Sequence, residues 1–428
     1  MDKIMIISSD GHATGRVDDY REYLDPEFRE EYDDYCVEFK KQPRYAFDPE
    51  VFKLRADLDV VEEWDREVNE AGVMEGKWDM DVRLAEMDKH GVAADIIFPD
   101  FGKPFELYSA TQGAKEGAKP LDFKHKQASD RAYNRWLVDF TSPAPERFAN
   151  IAMIEFDDVD AAIADMHWAK EQGFKGVLCP MFETSAPLFD KKFDPVWSTM
   201  EDLGLILNSH GGVSSTNRSG ERDISADAMP HPAMILPIMA RHIEFFTHEI
   251  LDQLIFCGVF ERHPNLKVVF TEQGSAWVRP KLAGADYTWK GSYVRSDLRD
   301  VVKHSPTEYF ERQCWIGSSL LSRHEVAIRH DIGIDKMMIG TDFPHLEGMW
   351  HPSVTEYLRA TFGVNHVPED EARQMMGTTA AKVFDFDVEK LAPLVERIGP
   401  TADVVLSEPG RDLYPRGDVH KPAAGALV

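Results

Sequence analysis

Residues 4–12 read IMIISSDGH. A short apolar run passes through a serine pair straight into Asp10, Gly11 and His12. Continuous apolar runs of this length are what parallel strands buried on both faces require. An acid and an imidazole two positions apart on such a strand share a face and can grip one ion together. Seven further runs of the same kind follow: 94–98 (ADIIF), 149–154 (ANIAMI), 176–179 (GVLC), 205–208 (LILN), 267–271 (KVVFT), 313–317 (QCWIG) and 337–340 (MMIG). Helical segments lie between them. Those over 82–90, 158–172 and 195–203 each stop at a glycine placed to cap a helix C-terminus, and the third opens with Asp194 as its N-cap and Pro195 in its first turn. Residues 130–140, 235–261, 323–330 and 369–376 add the rest. Strand and helix alternate eight times, which predicts an α/β protein built as one closed (β/α)8 barrel of the TIM type.

The barrel is expected to occupy residues 1–390, with 391–428 as a Pro/Gly-rich C-terminal extension. Two long insertions interrupt it. One, acidic, runs over 13–81 after strand 1; the other, polar and Gly/Ser-rich, over 211–232 after strand 5. Both leave from C-terminal strand ends, where barrel active sites are built, so both are expected to cover the mouth. The chain has 428 residues, 43% of them apolar, enough for a large core. Its net charge of −27 repels phosphate backbones and anionic lipid, which argues against nucleic acid or a membrane surface as partner and leaves a small-molecule substrate. No apolar run approaches the ~20 residues of a membrane helix, and the apolar stretch at the start is too short for a signal peptide. Cys36, Cys179, Cys257 and Cys314 are far apart and form no CxxC pair. A cytoplasmic enzyme is expected, and a homo-oligomer is compatible with the sequence.

The residues at the strand ends carry the chemistry. Strand 1 gives Asp10 and His12, strand 3 Glu155, strand 5 His210, strand 6 Glu272, and strand 8 Asp342 with His345. A parallel barrel brings all these ends to one mouth. Imidazoles and carboxylates with no thiolate suit Zn, Fe or Mn. Each motif alone has a plain reading: Asp10 in an Asx-type turn, His210 as a loop residue before two glycines, Asp342 as the start of a turn. Together they point to a divalent metal held by Asp10, His12, His210, Glu272 and Asp342. One ion is the first reading and two the second. Glu155, His345, His242 and His248 are further ligand or supporting candidates, and Phe101, Trp277 and His231 candidate pocket residues. Lys175 begins its strand and reads as structural.

DGH after the first strand, SHGG (209–212) after the fifth and GTDFPH (340–345) after the eighth resemble the amidohydrolase-2 branch of the amidohydrolase superfamily. That branch includes aminocarboxymuconate-semialdehyde and dihydroxybenzoate decarboxylases. LAEMDKHGVAADIIFP (84–99), GFKGVLCP (173–180), FDPVW (193–197) and FERHPNLKVVFTEQGSAWV (260–278) extend the likeness over roughly residues 4–387. The resemblance implies that Asp10 and His12 are first-strand ligands, His210 the fifth-strand ligand, and Asp342 the eighth-strand residue that binds metal and moves protons, with His345 to orient it. The sixth strand departs: Glu272 stands where the family's usual histidine would be. The resemblance implies a metal-dependent hydrolase or non-oxidative decarboxylase acting on a small carboxylated, aromatic or alicyclic substrate. An acid-rich site also suits the superfamily's non-haem di-iron oxygenase branch, the alternative. A barrel without catalysis is the third reading, which the surviving strand-end residues disfavour.

Overall fold

The computed structural model of the chain describes residues 2–41, 53, 56–105, 122–180, 184–211, 231, 234 and 247–409. Eight parallel strands follow one another around a (β/α)8 barrel in sequence order. They are β1 (Ile6–Ala13), β2 (Val92–Pro99), β3 (Phe148–Ala152), β4 (Gly176–Leu178), β5 (Ile206–His210), β6 (Val268–Thr271), β7 (Cys314–Ser319) and β8 (Met337–Gly340). All eight expected runs are strands. β1 is longer than its apolar run and carries Asp10, Gly11 and His12 inside the strand, so the turn reading of Asp10 falls away.

Closure is made beside the acidic residues themselves. Asp342 N donates to Asp10 O (2.8 Å) and His12 N to Phe343 O (2.7 Å). The Ser8 and Thr341 hydroxyls meet at 3.0 Å across 333 positions of sequence. Along β1 the pairing with β2 shifts between Ser8 and Gly11, so three residues of β1 face two of β2. A bulge of this kind re-aims side chains next to a site.

The interior of the barrel is apolar below the mouth: Ile7, Ile96, Phe98, Ile151, Leu178, Ile206, Val269 and Met338 are all buried and form one cluster. A larger cluster fills the space between strands and outer helices. The helices largely follow the sequence reading. Met80–His90 ends at Gly91 with φ +72°, and Asp194–Leu203 ends at Gly204 with φ +64°. Asp194 is the first residue of its helix and Phe193 the N-cap, because a 3-10 turn over Lys191–Phe193 leads in and leaves the Asp194 side chain to pair with Arg262 at 2.9 Å. Residues 247–256 are helical; the expected helix over 235–261 otherwise lies partly outside the described residues and breaks at Cys257–Gly258 before Val259–Arg262.

The insertion after β1 is structured where described. Arg29–Phe39 and Leu58–Trp64 are helices. Tyr32 and Tyr35 pack on the buried Phe105 ring at 5.2 and 5.5 Å, which places Phe105 in the core. The segment returns through a 3-10 turn, Val73–Lys77, whose Lys77 O accepts from Thr14 N at 3.1 Å. Most of 211–232 lies outside the described residues. At the far end, helix Val388–Ile398 lays Leu391 and Val395 on the barrel, and Ile4 N donates to Pro400 O at 2.8 Å. Among the described residues no helix is long and apolar enough to cross a membrane.

Candidate active site

The C-terminal ends of β1, β5, β6 and β8 bring six acid and imidazole side chains into contact. Asp10 Oδ1 lies 3.3 Å from His12 Nε2 and 3.1 Å from His210 Nε2. Asp342 Oδ1 lies 3.3 Å from His12 Nε2 and 2.7 Å from His345 Nδ1. Glu272 Oε2 lies 3.4 Å from His210 Nδ1. One ligand atom from each of Asp10, His12, His210 and Glu272 falls within 4.8 Å of the others, and His12, Asp342 and His345 form a second such group sharing His12.

Backbone geometry produces these contacts. Glu272 and Asp342 each follow a strand end with φ +57°, a left-handed conformation that ordinary residues rarely adopt. A Cβ on Gly211 would stand 2.4 Å from Glu272 O, so only glycine lets β5 and β6 bring His210 and Glu272 together. Gly11 is equally constrained: a Cβ there would meet Asp95 Oδ2 at 2.2 Å.

Neighbouring groups fix the imidazoles. His12 Nδ1 faces Pro99 O at 3.1 Å and His210 Nδ1 faces Gly211 O at 2.6 Å. Both contacts suit a protonated Nδ1 and leave Nε2 directed at the carboxylates, the arrangement by which outer hydrogen bonds orient metal-binding histidines. His345 stacks on His12 at 4.1 Å and 22°. Phe98 packs on His210 at 4.5 Å, giving the cluster an apolar floor. Ser319, at the end of β7, donates to Asp10 Oδ2.

The electrostatics are those of a crowded, dry set of acids and bases. Burial would raise the Asp10 carboxyl, but His210 and His12 overcome it and hold it well below the usual carboxylate range. Burial pushes the Glu272 carboxyl well up, and the Asp342 and Asp10 charges push it further. Burial would lower the His345 imidazole, yet Asp342 lifts it to about 10. His12 Nε2 and both Asp342 carboxylate oxygens are buried without a hydrogen bond of sound geometry. Buried polar atoms normally have partners, and three acids this close repel. A divalent cation satisfies both conditions, and nitrogen and oxygen donors without sulfur fit Mn, Fe or Zn.

The other sequence candidates fall elsewhere. Glu155, three residues beyond β3, joins neither group. His248 packs on Trp277 at 5.1 Å; Trp277 is buried against Phe270 and donates to Gly274 O at 2.9 Å. Phe101 is half-buried beside Asp100, His231 is exposed, and His242 lies outside the described residues. Lys175 donates to Asp385 O at 3.1 Å, a structural contact. Two residues escaped the sequence reading. Asp100, just past β2, reaches toward His345 Nε2 at 3.6 Å, and Lys77 pairs with Asp100 at 3.0 Å. A signal existed for Asp100, since it ends IIFPD at a strand end; none existed for Lys77.

The profile of the amidohydrolase family matches residues 75–386. The chain belongs to this family. The match contains His210, Glu272 and Asp342 and begins after Asp10 and His12. This amidohydrolase is 24% identical over 321 residues to gamma-resorcylate decarboxylase of Rhodococcus jostii, covering 72% of this chain and 88% of that one. It is 24% identical over 318 residues to 2-amino-3-carboxymuconate-6-semialdehyde decarboxylase of Dictyostelium discoideum, covering 73% and 78%. Its fold matches the crystal structure of a dihydroxybenzoic acid decarboxylase from Polaromonas with bound manganese and the inhibitor 2-nitroresorcinol, with a TM-score of 0.56, 16% identity, and 89% and 97% of the two chains covered. The amidohydrolase is thus a metal-dependent enzyme of the hydrolase and decarboxylase kind.

Proposed function

We propose that this barrel catalyses non-oxidative decarboxylation of a small aromatic or alicyclic carboxylate with one divalent metal, manganese being the first choice. The observation that carries the reading is the Asp342–His345 contact of 2.7 Å, set against Asp10, His12, His210 and Glu272 at the barrel mouth. When bound, the metal would supply Lewis-acid charge to hold the substrate and stabilise negative charge developing on it. The chain supplies the rest. Asp10, His12, His210 and Asp342 would hold the ion, with Glu272 beside it. In the reaction the carbon–carboxylate bond breaks, carbon dioxide leaves, and the electron pair left on carbon takes a proton. His345, whose Nδ1 lies 2.7 Å from Asp342 Oδ1, would deliver that proton by way of the Asp342 carboxylate. Lys103, four residues past β2, points its ammonium at Met153 Sδ, 3.2 Å away, and pairs with no carboxylate among the described residues. In so acidic a protein, a cation near the mouth suits an anionic substrate. Four free cysteines fit a reducing, cytoplasmic setting.

Manganese-loaded protein should release carbon dioxide from hydroxylated benzoates and incorporate bicarbonate in the reverse direction. Failure across such a panel, with oxygen consumed by iron-loaded protein instead, would reject the reading.

One observation favours the oxygenase as second reading: Glu272 adds a third carboxylate to the cluster, next to His210. Glu272→Gln separates the two. A decarboxylase in which Glu272 supports the ligands keeps about one metal per chain and loses about tenfold in rate. Two irons per chain, one of them lost in Glu272→Gln, would select the oxygenase.

A further inference from the structure

We propose that Lys77 and Asp100 are positioning residues that hold the His345 imidazole in register with Asp342. The proposal rests on the reading that His345 and Asp342 work in the reaction. The four side chains form a line: Lys77 Nζ to Asp100 Oδ2 at 3.0 Å, Asp100 Oδ1 to His345 Nε2 at 3.6 Å, and His345 Nδ1 to Asp342 Oδ1 at 2.7 Å. It is buried throughout, with side-chain exposures of 6% for Lys77, 1% for Asp100, 13% for His345 and 0% for Asp342.

Geometry gives each member a task. The His345 ring has a carboxylate at each nitrogen and the His12 ring on one face. Turning this ring would break its 2.7 Å contact with Asp342 and its stacking on His12, and would carry Nε2 away from Asp100. Asp100 is itself fixed, because Phe101 N donates to its Oδ1 at 2.7 Å. Lys77 neutralises it. Without that ammonium, Asp100 would be one more buried acid beside a cluster that already holds Asp10, Glu272 and Asp342, and buried charges persist only when paired.

The source of Lys77 gives the line a second meaning. It sits at the return of the insertion after β1, and its carbonyl is tied to Thr14, next to the strand that carries Asp10 and His12. The insertion therefore contributes a charge to the ordering of the site.

The test uses the full chain loaded with zinc, which is diamagnetic, and ¹⁵N-labelled histidine. The His345 nitrogen resonances are assigned by their loss in His345→Gln. Asp100→Asn and Lys77→Met should both move them, and Lys77→Arg should return them close to their original positions. Zinc content should be unchanged. In the manganese-loaded enzyme kcat should fall about 10–100-fold, with KM changed by less than about twofold. Arg329→Met, which breaks the buried Arg329–Glu371 pair (2.6 Å) away from the site, controls for lost stability. His345 resonances unmoved in both Asp100→Asn and Lys77→Met, or a loss of kcat that Arg329→Met reproduces at equal loss of melting temperature, would overturn the proposal. Should Lys77→Met fail to fold, the isosteric Asp100→Asn carries the test. Shifted resonances in a protein that releases no carbon dioxide would reject the assigned reaction and keep the positioning; normal decarboxylation with unmoved resonances would reject the positioning alone.

Discussion

Asp342→Asn should lose turnover by on the order of 1000-fold and still fold. The side chain is fully buried at the end of β8, with His12 Nε2 at 3.3 Å and His345 Nδ1 at 2.7 Å from one oxygen. Its backbone, not its side chain, closes the barrel, through Asp342 N to Asp10 O. An amide of the same shape keeps the seam intact and removes a charge. It no longer anchors a protonated His345, it binds a cation weakly, and it cannot pass a proton as a carboxylate does. The expected result is a melting temperature close to the parent's in metal-free protein, reduced manganese affinity and almost no product. Turnover within tenfold of the parent would remove Asp342 from the chemistry.

Arg83→Met should give the largest loss of stability. The Arg83 guanidinium is fully buried and pairs with Asp95 Oδ2 at 2.7 Å. It also donates to His12 O at 2.8 Å and Gly76 O at 3.3 Å, joining β1, β2 and the end of the insertion. Methionine fills much of the volume but leaves Asp95 as an isolated buried acid. Removing one partner of such a pair costs about 3 kcal/mol or more. Burial already pushes the Asp95 carboxyl above its ordinary value, with Arg83 opposing. The orphaned acid should therefore take up a proton, and the destabilisation should shrink as pH falls. Chemical denaturation at neutral and mildly acidic pH measures both effects. A midpoint unchanged at neutral pH would show that the pair contributes little.

The fold was legible because parallel barrel strands are written as uninterrupted apolar runs, and the glycines that end helices stand out between them. The strand ends were legible for the same reason: once 4–8 is a strand, Asp10 and His12 must emerge at the mouth. What could not be read is whatever depends on distant chain segments. The bulge in β1 arises from pairing with β2, and no local pattern announces it. Lys77 looks like any surface lysine in an acidic insertion; only the packed barrel shows it beneath Asp100. Asp194 illustrates a smaller failure. Its position before Pro195 matches an N-cap, but the preceding 3-10 turn shifts the helix start by one residue. Phe105 follows a strand end, yet the tyrosines of the insertion enclose it in the core.

The seam between β1 and the chain after β8 also dictates an order of assembly. A ribosome releases Asp10 and His12 first, and Asp342 only after more than three hundred further residues; Ser8 and Thr341, which meet in the seam, are 333 positions apart. Contacts so distant in sequence form late, because the loop they close must be ordered first. Through most of synthesis the first-strand acid and imidazole therefore stand without their eighth-strand counterpart. On the ligand set proposed above, the full group of donors would exist only in the finished barrel.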